Sequence, residues 1–175
     1  YSAELYKEDF LELKRAVRTD TPALAGKLEA VNKLFLTLKR ECGDYQILSS
    51  VSHIALKLMN LLTEMEAYLE RTADEKKREM VLDLYFQVRS FVNIHDIMDE
   101  NYVIYCELKD DGRFMVRLFC VNPAVNLQSY LEYGVAAVLF SATLLPIHYY
   151  KKLLSVETDD YAIYAESSFP GENRL

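Results

Sequence analysis

Apolar residues recur at three- and four-residue spacing along roughly the first 100 positions and then change rhythm near Tyr102, and that switch constrains the fold more than any other feature. The spacing predicts a helix over 3–17, with Leu5, Phe10, Leu13 and Val17 near one stripe. Thr21 ahead of Pro22 reads as an N-cap followed by proline in the first helical turn. From there Leu24, Leu28, Val31, Leu34, Phe35 and Leu38 carry a stripe to Gly43, where the helix should stop. A third helix is expected over 50–71, bearing Ile54, Leu58, Leu61, Leu62 and Met65. Asp74 should cap a fourth that carries Met80, Leu84, Val88, Phe91 and Val92. Four helices with short connections predict an antiparallel up-down bundle.

Beyond Tyr102 the chain becomes β-rich. Residues 102–108 and 113–121 flank Lys109-Asp110-Asp111-Gly112, which predicts a hairpin with a glycine-containing turn. Pro123 should open a helix to about Tyr133, broken by Gly134. The run Val135-Ala136-Ala137-Val138-Leu139-Phe140 has no alternation of apolar and polar residues, which predicts a strand covered on both faces. Pro146 should start a helix to Leu154, and 161–165 a last short strand. The expected fold class is mainly α with a small β element, α+β. Within it, 1–100 form the helical bundle, 101–134 the hairpin and a returning helix, and 135–175 a strand, helix and tail.

Composition narrows the function classes. Of 175 residues, 51% are hydrophobic and 27% charged, which is ordinary globular usage in a chain long enough to bury a core. No apolar run approaches the ~20 residues of a membrane span, so no membrane partner is expected and the reading is a soluble, cytoplasmic protein. A net charge of −7 excludes a general polyanion binder, so any DNA contact must come from local clusters. The candidates are Lys14 and Arg15, Lys39 and Arg40, and Lys76, Lys77 and Arg78, though each reads first as a solvated helix face. Cys42, Cys106 and Cys120 are too scattered for a zinc or cluster site. A hairpin turning at Asp110-Asp111 also leaves Cys106 and Cys120 out of register, which argues against a disulfide between them. None of the five glycines forms a phosphate-cradling loop, so no catalytic residue, metal or cofactor is expected in this chain.

The densest signal is Ser141-Ala142-Thr143-Leu144, with Pro146, Tyr149 and Tyr150 following. It closely resembles the SAT motif, the third motif of superfamily-two helicases, in the form used by iron–sulfur DNA helicases of the XPD/DinG type. Three further fragments fit the same order. Tyr1-Ser2-Ala3-Glu4-Leu5 resembles the residues shortly after that family's Walker B box. The stretch 117–131 is similar to its strand, Asp-Pro turn and helix, with Asn122 where aspartate is commoner. The stretch 164–175 resembles its Ser-Pro-Phe and Asn-Arg segment, with Ser168 in place of the proline. The resemblance covers both ends and the last third of the chain. It implies an excerpt of such a helicase: the Arch insertion plus the strand re-entering the motor. ATP, Mg and an iron–sulfur cluster would then belong to the parent protein, and the bundle would guide single-stranded DNA. Ser141, Ala142 and Thr143 would couple ATP state to DNA grip, since short hydroxyls at a strand end exchange hydrogen bonds at little entropic cost. The rest of the motor would be the principal partner, and the strand 135–140, deprived of it, could self-associate through its edge.

Other readings remain. Ser141 or Thr143 could simply cap the helix at Pro146. His53, His95-Asp96 and Asp159 echo the ligand order of the HD phosphohydrolases, whose metal would activate water for phosphoester hydrolysis. His95 and Asp99 are spaced to chelate a metal from one helix face. A helical protein-interaction module is a third class.

Overall fold

The computed structural model describes residues 1–141, 143–155, 157 and 160–165, and the fold is α+β. It divides into two compact units, Tyr1–Val121 and Asn122–Leu175.

The first unit holds four helices and an antiparallel sheet. Strand β1 (Ala3–Tyr6) runs into helix α1 (Lys7–Val17), followed by α2 (Pro22–Cys42), β2 (Tyr45–Leu48), α3 (Ser52–Arg71), α4 (Glu75–Ile97) and the hairpin β3 (Tyr102–Leu108) and β4 (Phe114–Cys120). Helix α1 packs on α2, α2 on α3, α3 on α4, and α4 returns to α1. The sheet order is β1-β4-β3-β2, so the hairpin is central and the two short strands are its edges. Hairpin and helices share one core, and the contacts divide the chain after Val121.

That core is set by the pleat. Phe114, Val116 and Leu118 of β4 are fully buried, and Cys106 of β3 faces the same way opposite Val116. Ala3 and Leu5 of β1 join them. On the helical side Phe10, Phe35, Leu58, Leu61 and Phe91 are fully buried, so one continuous apolar cluster spans all four helices and the sheet. The Phe10 and Phe35 rings lie 5.4 Å apart, and Phe35 meets Phe114 edge-on at 6.4 Å.

Most helix boundaries follow their sequence signals. Asp74 accepts a hydrogen bond from the Lys77 backbone N–H and so caps α4. Gly43, at φ 62°, ends α2 in a conformation that would strain any residue with a Cβ. Gly112, at φ 82°, does the same service in the hairpin turn, closed by the Gly112 N–H to the Lys109 carbonyl at 2.8 Å. The helix expected over 3–17 is corrected at its start: 3–6 form β1. Leu5 is buried, but its register is that of a strand, opposite Val116, with Glu4 and Tyr6 pointing to the other face. The Ser2 hydroxyl and the Glu8 carboxylate extend this edge by accepting hydrogen bonds from the backbone N–H groups of Cys120 and Phe114, each at 2.9 Å. Strand β2 was not expected at all.

In the second unit α5 (Ala124–Leu131) and α6 (Ile147–Leu154) form where anticipated. The strand expected over 135–140 does not form: these residues adopt no regular structure and stand in solvent, with Val135, Val138, Leu139 and Phe140 at 108%, 83%, 50% and 88% exposure. An isolated strand has no ladder partner for its N–H and C=O groups, and among the described residues none is supplied. The strand expected over 161–165 is likewise irregular and exposed. Ten positions of the tail, 166–175, lie outside the described residues.

Two substitutions probe this account. Gly26 lies inside α2 with no atom within 4 Å of where a Cβ would sit, so Gly26→Ala should stabilise by about 0.5–1 kcal/mol through helix propensity alone. Phe35→Ala should cost about 3–5 kcal/mol by removing the ring that joins α2 to both α1 and β4. Urea unfolding followed by circular dichroism reads both.

Candidate coupling motif and nucleic-acid interface

The chain turns from the irregular segment 135–140 into α6 through Ser141, Thr143 and the proline at 146. The Thr143 N–H donates to the Ser141 Oγ at 3.2 Å, and the two hydroxyls lie 3.0 Å apart, sharing one hydrogen. This is a local side-chain turn, and both residues are exposed. Neither hydroxyl caps α6: Pro146 occupies the cap position with no side-chain hydrogen bond, while its carbonyl accepts from the Tyr149 N–H at 3.1 Å. The simple capping reading of these residues therefore does not hold. Two hydroxyls carry two donors and only one is spent between them, so one O–H can be offered to an external acceptor such as a carboxylate. Ala142, the middle residue of the motif, lies outside the described residues. Upstream, the Asn122 side-chain oxygen accepts the Ala124 N–H at 3.1 Å at the start of α5, which an aspartate in its place would do equally well.

The seven candidate DNA contacts divide into two groups. Lys14 is held by Glu29 at 2.7 Å across the α1–α2 contact. Lys39 donates to the Gly112 carbonyl at 3.0 Å and lies 3.8 Å from Glu8, tying α2 to the hairpin turn and the start of α1. Lys77 meets Asp20 at 2.5 Å, and Arg78 donates to the Leu69 carbonyl at 2.8 Å. Arg15, Arg40 and Lys76 are exposed and engage no partner among the described residues. Adjacent residues on a helix point about 100° apart, so a basic pair in sequence becomes one structural cation and one free one. The structural cations shift their partners' titration. The hydrogen bond from Lys14 holds the Glu29 carboxyl below its ordinary range, and that from Lys77 does the same for Asp20 while raising Lys77 itself. Asp9 moves the opposite way, because burial at the start of α1 disfavours its charged form.

Compared with protein-family models and with curated proteins, the sequence matches none.

Among the described residues the His-Asp arrangement is not gathered. Among the described residues no group of three or more His, Cys, Asp and Glu side chains comes within metal-holding reach. The exposed Asp96 lies 3.3 Å from its neighbour His95, and Asp99 accepts from both the N–H and the side-chain amide of Asn101. Asp159 lies outside the described residues. One proximity has no signal in the sequence: the Cys42 thiol lies 3.4 Å from the Cys106 carbonyl, although the two are 64 positions apart.

The charge pairs predict an acid limb. A carboxylate whose folded pKa is depressed contributes stability that is complete above its unfolded pKa and lost as pH falls through the folded one. Glu29 and Asp20 are of this kind, so the urea midpoint should fall as pH drops below about 4. Glu29→Gln should flatten part of that fall. Asp9, raised by burial, should behave with opposite sign, and Asp9→Asn should raise the midpoint near pH 7 while gaining nothing at pH 3. A midpoint independent of pH across that range would contradict the assignment.

Proposed function

We propose that this chain is a non-catalytic portion of an ATP-dependent iron–sulfur DNA helicase of the XPD/DinG type. It would comprise the Arch insertion, in which α1–α4 form an antiparallel bundle, and the third helicase motif. The observation that carries the reading is the run Val135–Phe140: an apolar segment exposed to water, immediately ahead of Ser141 and Thr143, whose hydroxyls have a donor to spare. Apolar residues exposed in a block are costly unless another surface covers them, and the motor of the parent protein is the surface that the motif resemblance supplies. In that setting the segment would become a strand between motor strands, and Ser141, Ala142 and Thr143 would sit at its carboxyl end, where sites collect in parallel sheets. The unspent O–H of the pair would track the carboxylate that senses the γ-phosphate. ATP, Mg and the cluster would be held by the parent protein, in a cytoplasmic DNA-repair or related role. Without the motor, the segment would drive self-association.

Single-stranded DNA would run past the bundle, steered by the cations left free. Arg15, Arg40 and Lys76 fit that part better than Lys14, Lys39, Lys77 and Arg78, which are committed within the fold. A helical interaction module is the second reading, favoured by the outward-facing Leu56 and Met59 of α3 and Phe86 of α4.

Fluorescence anisotropy of a labelled single-stranded oligonucleotide at low and moderate salt separates these. The helicase reading expects weak binding that falls steeply with salt, without ATP hydrolysis. Each of Arg15→Ala, Arg40→Ala and Lys76→Ala that removes a phosphate contact should lower the salt slope by about 0.7. Glu29→Gln should leave the slope of the wild type or raise it by freeing Lys14. Salt-independent absence of binding would move the weight to the interaction module. Phosphatase activity abolished by chelation would overturn both in favour of the His-Asp reading.

A further inference from the structure

We propose that Cys42 and Cys106 form a redox modification site: a buried dithiol that a low-molecular-weight disulfide such as oxidised glutathione converts to an intrachain disulfide joining α2 to β3.

The two residues come from the last position of α2 and the middle of β3 and are 6% and 0% exposed. The Cys42 thiol donates to the Cys106 carbonyl at 3.4 Å, which brings its sulfur to the residue that carries the second buried thiol. Pairing two sulfurs from such distant positions requires the rest of the fold to hold them together, and it does. Helix α2 packs on β3, and Gly43 turns the chain at once into β2, which lies against β3 with Gln46 opposite Cys106. Cys120 is excluded from this chemistry by register: it faces Tyr102 at the other end of the hairpin.

The environment decides the order of events. Burial, with the Cys42 thiol beside it, pushes the Cys106 thiol up to about 12, so Cys106 is a poor first nucleophile. Cys42 therefore attacks. It gives its proton to water, its sulfur bonds to one sulfur of oxidised glutathione, the glutathione S–S bond breaks, and one glutathione leaves as a thiolate that takes up a proton. Cys106 then gives its proton to water or to a departing glutathione thiolate, attacks the Cys42 sulfur of the mixed disulfide and expels the second glutathione. Two protein thiols are oxidised by two electrons and one glutathione disulfide is reduced to two thiols, so the exchange balances without any further reagent. Entry lies along β2. It is a four-residue edge strand with Tyr45, Gln46 and Ile47 exposed, and it is the cheapest part of this sheet to open.

Closing the bond would fasten helix α2 to β3, a central strand of the sheet. With 64 positions between the sulfurs, the linked form should melt higher by on the order of 10 °C.

The experiment uses the whole chain with Cys120→Ser, so that any pairing seen involves the other two thiols. It is incubated with graded mixtures of oxidised and reduced glutathione until a urea-unfolded control reaches equilibrium, then alkylated, weighed intact and peptide-mapped. The expected result is a product lighter by two hydrogens, carrying a Cys42–Cys106 linkage. It should form in the folded protein at a more reducing mixture than in the unfolded control, and its melting temperature should be raised. Cys42→Ala and Cys106→Ala, in the same background, should each stop at a mixed disulfide or remain free; should either fail to fold, the comparison with the urea-unfolded control stands without it. Two alkylated thiols at every mixture, a linkage no easier to form folded than unfolded, or a linked form that melts lower would each overturn the proposal.

Discussion

The contact between Phe35 and its two aromatic neighbours is the joint on which the first unit depends. Helices and a sheet have incompatible surface rhythms, one repeating every 3.6 residues and the other every two, so a unit containing both needs side chains large enough to bridge the layers. Phe10 and Phe35 bring α1 and α2 together, and Phe114 presents the β4 face to the same point. Because β4 is central, whatever fixes it also fixes its neighbours. Strand β1 pairs with it on one side and β3 on the other, and β3 in turn carries β2. Lys39 reinforces the joint at the rim by bonding the Gly112 carbonyl in the turn that leads to Phe114.

Legibility in the sequence follows from how many residues report each element. The long helices α2, α3 and α4 repeat their apolar stripe over five or more turns, and Asp74, Pro22 and Gly43 punctuate them, so the starts of all three and the ends of α2 and α3 could be read within about two residues. The hairpin was legible from its β-rich arms and its Asp-Gly turn. Strand β1 was not, because Leu5 was absorbed into the stripe of α1, although its separation of five from Phe10 does not fit one face of a helix. Strand β2 had no signal to offer: Tyr45, Gln46 and Ile47 are all exposed with no alternation of burial, and its place is granted by β3 rather than by its own pattern. The run 135–140 failed for the converse reason. Its composition satisfies a buried strand, but strand formation needs a hydrogen-bonding neighbour, and no window of sequence encodes whether one is present.

The candidate site shows the same limit in side chains. Residue type and spacing located the hydroxyl pair at 141 and 143, and the structure adds that these groups bond each other instead of capping α6. The basic clusters could be found by eye, but which member of each is free could not, because that depends on acids distant in sequence: Glu29 for Lys14, Asp20 for Lys77, Glu8 for Lys39. The pairing of Cys42 with Cys106 belongs to the same class, a contact made by topology with no trace in spacing.

On the function proposed above, the first unit would stand beside a larger machine, and the way its cations are spent bears on that role. Several of its cations are spent on internal seams: α1 to α2, the α1–α2 turn to α4, and α2 to the hairpin turn. Exposed pairs of this sort contribute little each, commonly under about 1 kcal/mol, so their main effect is to neutralise basic clusters that would otherwise attract polyanions indiscriminately. A guide for a translocating strand needs that restraint. In the proposed role it would have to touch phosphates weakly enough to release them at every step, and a few isolated cations on a chain of net charge −7 would allow this where a continuous basic stripe would stall the strand.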